Sequence, residues 1–379
     1  MINAYLFFMW HKIITQEKSV SFEYDKDPIS ALEAITEAQK ISFAPVLFQV
    51  AICLRDFGIL AVLDQAGNNG CDAQNISEKC NINQYAVDVL LDAALCGHIV
   101  YQQNEGKFFL GKIGHYLLHD QMTQVNLNFI QDVCYEGLFY LKESLLQQKP
   151  VGLKVFGNWE TIYPALSLLP AKAQKSWFEF DHFYSDAAFY SALKTLFSSL
   201  HPKHIYDVGG NTGKWAIECC KYDKNVEVTI LDLPAQLALA EENITAYQLE
   251  NRIHRFPVDM LNIGELPEQA DVWWMSQFLD CFSEQQIIQM LTRIRASMKQ
   301  NAKLCILEVF ADAQPYEAGA FSVNMSSLYF SCMANGNSRF YRSDVFLSYL
   351  ESAGFKLEAR SDQIGVGHTL LVLSPEKNL

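Results

Sequence analysis

The stretch from His204 to Lys214, His-Ile-Tyr-Asp-Val-Gly-Gly-Asn-Thr-Gly-Lys, constrains the fold more than any other. His204 to Val208 reads as a short strand, Gly209, Gly210 and Gly213 break it, and Trp215 to Cys220 resumes with helical character. A strand that runs through a glycine-rich turn into a helix aims backbone N–H groups and the positive helix end at whatever lies above the turn. About twenty residues further on, the apolar strand Val228-Thr229-Ile230-Leu231 ends on Asp232, and in an open parallel sheet a carboxylate there can accept from a ribose diol. Turn and acid together describe an adenosine pocket.

Two adenosine cofactors are disfavoured by spacing. The dinucleotide fingerprint needs a glycine two places after Gly209, where Asn211 stands, and a P-loop needs Ser or Thr after Gly213-Lys214, where Trp215 stands. Asp207-x-Gly209-x-Asn211-x-Gly213 instead resembles the acidic strand-end loop of S-adenosylmethionine (SAM) methyltransferases, with asparagine at its middle glycine. Asparagine tolerates a left-handed backbone better than most residues, which suits that place. The bland alternative is an ordinary tight strand–helix connection. Asp232 and the order of the later strands favour the cofactor.

With 379 residues the chain is long for one core and comfortable for two domains. A net charge of −14 argues against a nucleic-acid partner, because phosphate binding rests on basic surface. The ten cysteines show no C-x-x-C spacing, and Cys219-Cys220 are adjacent, so buried thiols in a reducing cytoplasm are expected rather than zinc or bridges. No metal site is expected. Tyr5 to Trp10 is apolar but far short of the ~20 residues that span a bilayer, so no membrane contact is expected.

Residues 29–66 are helical in pattern and unusually apolar around Phe43 to Leu63, which predicts burial inside their own domain or against a second copy. Residues 73–118 predict two short helices, Ala73 to Lys79 and Gln84 to Cys96, followed by a hairpin. That order is a winged helix-turn-helix, often a DNA reader. Its second helix carries Asp88 and Asp92 and no lysine or arginine, so a dimerisation and lid role is favoured. Residues 121–200 predict a string of aromatic-rich helices, in which Phe180 and Tyr184 are candidate acceptor-lining rings. From 204 strands and helices alternate, which predicts a doubly wound parallel α/β sheet with a terminal antiparallel hairpin near 355–359 and 368–373. Ser343 is a possible cap of helix 343–353, and 312–320 reads as a surface loop. The expected division is a helical and winged-helix domain over 1–175 and a Rossmann-like SAM-binding domain over 176–379.

In the order of these pieces, the chain resembles the class I small-molecule O-methyltransferases of the caffeate and hydroxyindole type. The marks are Asp207-Val-Gly-Gly-Asn-Thr-Gly213, Leu231-Asp-Leu-Pro234, Pro257-Val-Asp-Met260, Phe282-Ser-Glu-Gln285 and Ile306-Leu-Glu308. The resemblance implies SAM as cofactor, with its methionine end over Gly209–Gly213, its ribose on Asp232 and its adenine bracketed by Leu233, Asp259 and Met260. It implies a homodimer that moves a methyl group to a hydroxyl, or to an activated carbon, of a small aromatic or conjugated acceptor. It also exposes a break. Asp280 occupies the place of the family's histidine, and Ser276 that of a lysine that often precedes it. Glu308 stands where the family keeps an acid beside the histidine, and Tyr341 replaces a second acid. Free aspartate ionises near 3.9 and histidine near 6.5, so Asp280 removes protons poorly unless burial or a neighbouring carboxylate raises its pKa. Catalysis is therefore expected at Asp280 and Glu308, with Gln277 and Tyr341 beside the acceptor. The alternative is a ligand-binding regulator that uses the winged helix without catalysis.

Overall fold

A computed structural model describes residues 27–103, 106–262 and 264–376. Tyr5 to Trp10 lie outside the described residues. Contacts divide the chain into two units, one ending at Val133 and the other running from Cys134.

In the first unit the apolar run is three helices rather than one long one. α1 (Ala31–Ser42) is capped by Ser30, whose Oγ accepts from Glu33 N while Glu33 reaches back to Ser30 N. The chain breaks at Phe43 into α2 (Ala44–Asp56), and again at Gly58, left-handed with φ +82°, into α3 (Ile59–Ala66). Of the run from Phe43 to Leu63, Leu54, Ile59, Leu60 and Leu63 form a core with Ile76, Val87, Leu91 and Ile99, while Phe43, Val46 and Phe57 are exposed. α1 buries no residue, and Leu32, Ile35 and Ile41 remain exposed. α4 (Ala73–Cys80) and α5 (Gln84–Cys96) are joined by left-handed Asn81, and Asn83 caps α5 by accepting from Ala86 N. The expected hairpin is β1 (Val100–Gln102) paired with β2 (Phe108–Leu110), followed by α6 (Lys112–His119) and α7 (Gln121–Phe129).

The second unit opens with irregular turns around α8 (Leu141–Gln147), then the 30-residue α9 (Ala171–Leu200). Residues 134–175, which the sequence reading assigns to the N-terminal domain, cluster here with the α/β fold. The reason is local: Cys332 Sγ donates to Gly137 O at 3.2 Å, and Gly137 and Gly152 lie too close to Met333 and Cys332 for any side chain.

The sheet then builds from β3 (His204–Val208), α10 (Lys214–Tyr222), β4 (Glu227–Asp232), α11 (Pro234–Ala246), β5 (Ile253–Pro257), β6 (Val272–Ser276), α12 (Glu284–Ser297), β7 (Lys303–Val309), α13 (Glu317–Ser326), α14 (Ser343–Ser352), β8 (Phe355–Ile364) and β9 (His368–Pro375). Seven strands run in the order β5-β4-β3-β6-β7-β9-β8, parallel except for β9, which enters antiparallel between β7 and β8. Both faces are buried, which is why the strands read as continuous apolar runs. Trp274 points to one face and stacks on Trp215 at 4.1 Å, while Trp273 points to the other and meets Tyr206 edge-on. Two expectations fail here. Ser343 is the first helical residue rather than the cap, and its Oγ donates to Asp312. The expected loop 312–320 contains the start of α13, whose Ala320 is buried.

Candidate cofactor and acceptor site

Strand order reverses between β3 and β6, so the crevice for a ligand opens at the carboxyl ends of β3, β4, β6 and β7. At the end of β3 the chain turns through Gly209 (φ +73°), Asn211 (φ +48°) and Gly213 (φ +74°), so asparagine does take the left-handed backbone. A Cβ on Gly209 would sit 2.2 Å from the Phe278 ring, and one on Gly210 would sit 2.5 Å from Asp207 Oδ2. Only bare backbone fits, and the loop is braced by its own amides, Gly209 N donating to Leu231 O and Gly213 N to Gly210 O.

Asp232 ends β4 and is fastened to that loop. Its Oδ2 accepts from Asn211 N at 2.8 Å and its Oδ1 from Leu233 N at 2.7 Å. Burial still raises its pKa, against the pull of those two amides. Asp207, below Gly210, is buried and its Oδ2 has no hydrogen-bond partner. Burial first, then the charge of Asp232, pushes it up to about 8. An orphaned carboxylate oxygen beneath a loop that excludes side chains fits a ligand carrying a cationic or N–H group, as the amino-acid end of SAM does.

The second carboxylate pair lies one strand across. Glu308, near the end of β7, accepts at Oε1 from Phe278 N (3.1 Å) and Leu279 N (2.9 Å), which pins the turn 279–281. Asp280 sits on that turn. It is 5% exposed and its Oδ1 has no partner, so it is not a solvated loop acid. Burial, opposed by hydrogen bonding to Cys281 and reinforced by the charge of Asp181, pushes it up to about 7. Burial and then the charge of Asp280 hold Glu308 well above the carboxylate range.

The other predicted residues divide. Ser276 Oγ and Gln277 Oε1 are both buried without partners at the end of β6, and Gln277 carries φ +47°. Met260 is buried, Leu233 is 40% exposed, and Asp259 turns its carboxylate onto Leu261 N and Asn262 Nδ2. Phe180 and Tyr184 pack together on α9 at 5.1 Å. Tyr341 is packed among Phe346 and Tyr349, with its hydroxyl donating to Phe282 O at 2.7 Å.

Sequence reasoning missed the wall around Asp280. Asn335 Nδ2 donates to Cys281 O (2.8 Å) and to Tyr163 Oη (3.1 Å), and Trp177 Nε1 donates to Tyr329 Oη (2.7 Å). On α9, Asp181 acts on Asp280 through its charge, and its own pKa is raised first by burial. An acid inside the aromatic run of α9, one turn after Trp177, was the available signal. Among the described residues one further group could hold a metal, the exposed Asp64, His115 and His119 of the first unit.

Residues 36–108 match the Dimerisation2-like domain, and residues 188–356 match the O-methyltransferase domain. Among curated proteins, O-methyltransferase SfmM3 of Streptomyces lavendulae is 26% identical over 186 residues, 47% of this chain and 53% of that protein. The 3-hydroxy-5-methyl-1-naphthoate 3-O-methyltransferase of Streptomyces sahachiroi is 30% identical over 32% of this chain and 36% of its own length. The chain thus spans about half or less of the length of these relatives. Among solved structures, the apo form of the SAM-dependent methyltransferase SibL superposes with a TM-score of 0.71 at 19% identity, covering 90% of this chain and all of that one. NcsB1, an O-methyltransferase from neocarzinostatin biosynthesis solved with SAM and 2-hydroxy-5-methyl naphthoic acid, gives 0.64 at 16% identity over 92% of this chain and all of its own. At these identities the likeness is one of fold.

Proposed function

We propose that this chain, a class I O-methyltransferase with a Dimerisation2-like domain ahead of its catalytic fold, moves a methyl group from SAM to a hydroxyl of a small aromatic metabolite. The observation that carries the reading is the glycine loop at the switch point, with orphaned Asp207 beneath it and Asp232 bonded to it, on the same sheet rim as Asp280 and Glu308.

When bound, SAM supplies a methyl on a sulfonium that is already a good leaving group. The protein's work is then mostly alignment. The backbone of Gly209–Gly213 and the carboxylate of Asp207 hold the amino-acid end. Asp232 has a lone pair left on each oxygen for the ribose hydroxyls, and Leu233, Asp259 and Met260 flank the base, with Ser276 near the same end. Asp280 takes the acceptor's hydroxyl proton at Oδ1. Its raised pKa places it near neutral pH, where a general base works best, so it replaces the family histidine by environment rather than by residue type. Glu308, its pKa raised by burial and the Asp280 charge, fixes the turn through Phe278 N and Leu279 N. Gln277 faces the acceptor with its free Oε1. Phe180 and Tyr184 contribute apolar wall, and Tyr341 supports the turn through Phe282 O.

The exposed apolar residues of α1 favour a homodimer built by the first unit, and no single described helix is long and apolar enough to cross a membrane. Ten unpaired cysteines suit the cytoplasm. The regulator alternative draws no support from the matched domains. The test is transfer of labelled methyl from SAM to a panel of phenols by the purified protein, alongside calorimetry with S-adenosylhomocysteine. No cofactor binding at low millimolar concentration would sink the reading.

A further inference from the structure

We infer that Asp64, His115 and His119 bind a zinc ion, or another late first-row divalent cation, which fastens α6 to α3 within the first unit. The inference is independent of the methyl-transfer reading.

Three donors from two helices converge here. His115 and His119 stand at i and i+4 on α6, so their rings share one face of that helix. The ring centroids are 4.7 Å apart, with the planes at 52°. Asp64 lies in the last turn of α3, and its Oδ2 is 3.0 Å from His119 Nε2. One ligand atom of each residue lies within 4.8 Å of those of the other two. Ligand atoms ~2.0–2.1 Å from a tetrahedral zinc are about 3.4 Å from one another, so small side-chain rotations close the set. The helices beneath are held in place. Leu117 and Leu118 of α6 pack against the core that contains Leu60 and Leu63 of α3. Gly114 is pressed onto the chain before β1, where an added Cβ would sit 2.5 Å from Ile99 O. The backbone is thus preset, while the three exposed side chains can turn and leave a path for the ion.

The donor set and its surroundings select the cation. A surface ion pair is complete with two groups, and such pairs contribute little. Here a third donor arrives one helical turn away. Two imidazoles and a carboxylate suit zinc, cobalt, nickel or copper, whereas magnesium and calcium take oxygen ligands. Both helices also end at this place: His119 is the last residue of α6, and Asp64 is in the last turn of α3. Two negative helix ends therefore favour a cation there. The next acid along, Asp120, is spent on capping α7, its Oδ2 accepting from Thr123 N and Thr123 Oγ1. The chain supplies three ligands and leaves a fourth position to water.

The test uses the full chain, free of any histidine tag and stripped with EDTA. It is titrated with Co²⁺ and read by absorption, with Zn²⁺ and Mg²⁺ as competitors. One cobalt per chain should bind and give visible d–d bands. It should lack the intense near-ultraviolet band of a cobalt thiolate, which separates this site from the ten unpaired cysteines. Zinc should displace the cobalt and millimolar magnesium should not. His115→Ala and His119→Ala should each weaken binding at least ~10-fold, since even groups that only orient a ligand contribute 10–100-fold. Asp64→Asn should weaken it too. All three side chains are exposed, so the metal-free variants should melt as the native chain does. Zinc should slow amide hydrogen exchange in α3 and α6 of the native chain and not of the histidine variants. A spectrum dominated by thiolate absorption, affinity unchanged in both histidine variants, or no cobalt bound at low millimolar concentration overturns the inference. So does binding that leaves exchange in α3 and α6 unaltered.

Discussion

The ends of β3 and β4 and the ends of β6 and β7 each bring two carboxylates together, and the two pairs share one plan. In each, one acid is held by two backbone amides: Asp232 by Asn211 and Leu233, Glu308 by Phe278 and Leu279. In each, the other acid is buried with an unpaired oxygen, Asp207 Oδ2 and Asp280 Oδ1. In both pairs the amide-bonded acid shapes a turn, and in the function proposed above the orphan meets a ligand group. What differs is the cover. Asp207 lies under the Gly210 backbone, where no side chain fits. Asp280 lies on the turn with Cys281, whose carbonyl Asn335 ties to Tyr163, and burial there raises its pKa toward neutrality. Environment, more than residue type, separates a binding acid from a catalytic one.

The sharpest way to break the comparison is at the second orphan. Asp280→Asn keeps shape and loses the base, so turnover should fall by ~10²–10⁴-fold with cofactor binding intact. Because Asp280 must be ionised to accept a proton and sits at about 7 in the free protein, native kcat/KM should rise with pH through neutrality and level off above it. Burial, and then the Asp280 charge, also raise the pKa of Glu308. The variant's residual rate should be flat over the same pH range. Unchanged turnover in Asp280→Asn would make methyl transfer here a matter of proximity alone.

The first pair should answer in affinity rather than rate. Asp232→Ala removes the acceptor for Asn211 N and for any ribose hydroxyl, each charge-assisted bond contributing roughly 1.5–3 kcal/mol. S-adenosylhomocysteine should weaken by at least ~10-fold in calorimetry, and equal affinity would remove Asp232 from the site. A smaller, purely structural loss is expected from Gly209→Ala. The added Cβ meets the Phe278 ring at 2.2 Å on a left-handed backbone, so thermal unfolding should report a loss of about 1–3 kcal/mol. A fully stable Gly209→Ala would mean that Phe278 moves freely.

The first pair was legible because it is local. A strand, three glycines and an acid at the next strand's end lie within 29 residues, from His204 to Asp232, and the asparagine announced its own backbone angle. Asp280 and Glu308 were found only through a resemblance, since nothing in their spacing says that β6 and β7 are neighbours. Asp181, Tyr163 and Asn335 come from three distant elements and acquire meaning only when the chain folds. Tyr341 shows the opposite failure, a residue placed by position whose hydroxyl is taken up by Phe282 O. Boundaries were lost for a similar reason, since residues 134–175 join the α/β unit through Gly137, Gly152 and Cys332, nearly 200 positions apart in sequence.

The smallest effect separates the orphans by what each one binds. Asp207 sits at about 8, so at pH 7 the free protein holds a proton there. An ammonium brought within hydrogen-bond reach favours the ionised carboxylate and lowers that pKa. Binding S-adenosylhomocysteine, whose amino-acid end carries an ammonium beside its carboxylate, should release up to about one proton if that ammonium meets Asp207, and affinity should rise with pH until it levels off above about 8. Calorimetry at pH 7 in two buffers of different ionisation enthalpy counts that proton directly. Asp207→Asn cannot ionise and should release none, while binding more weakly. Asp280, which belongs to the acceptor, should contribute nothing, so Asp280→Asn should release as much as the native chain. If the proton release survives in Asp207→Asn and vanishes in Asp280→Asn, the cofactor's charge is read at the second pair, and the division of labour between the two strand ends must be reversed.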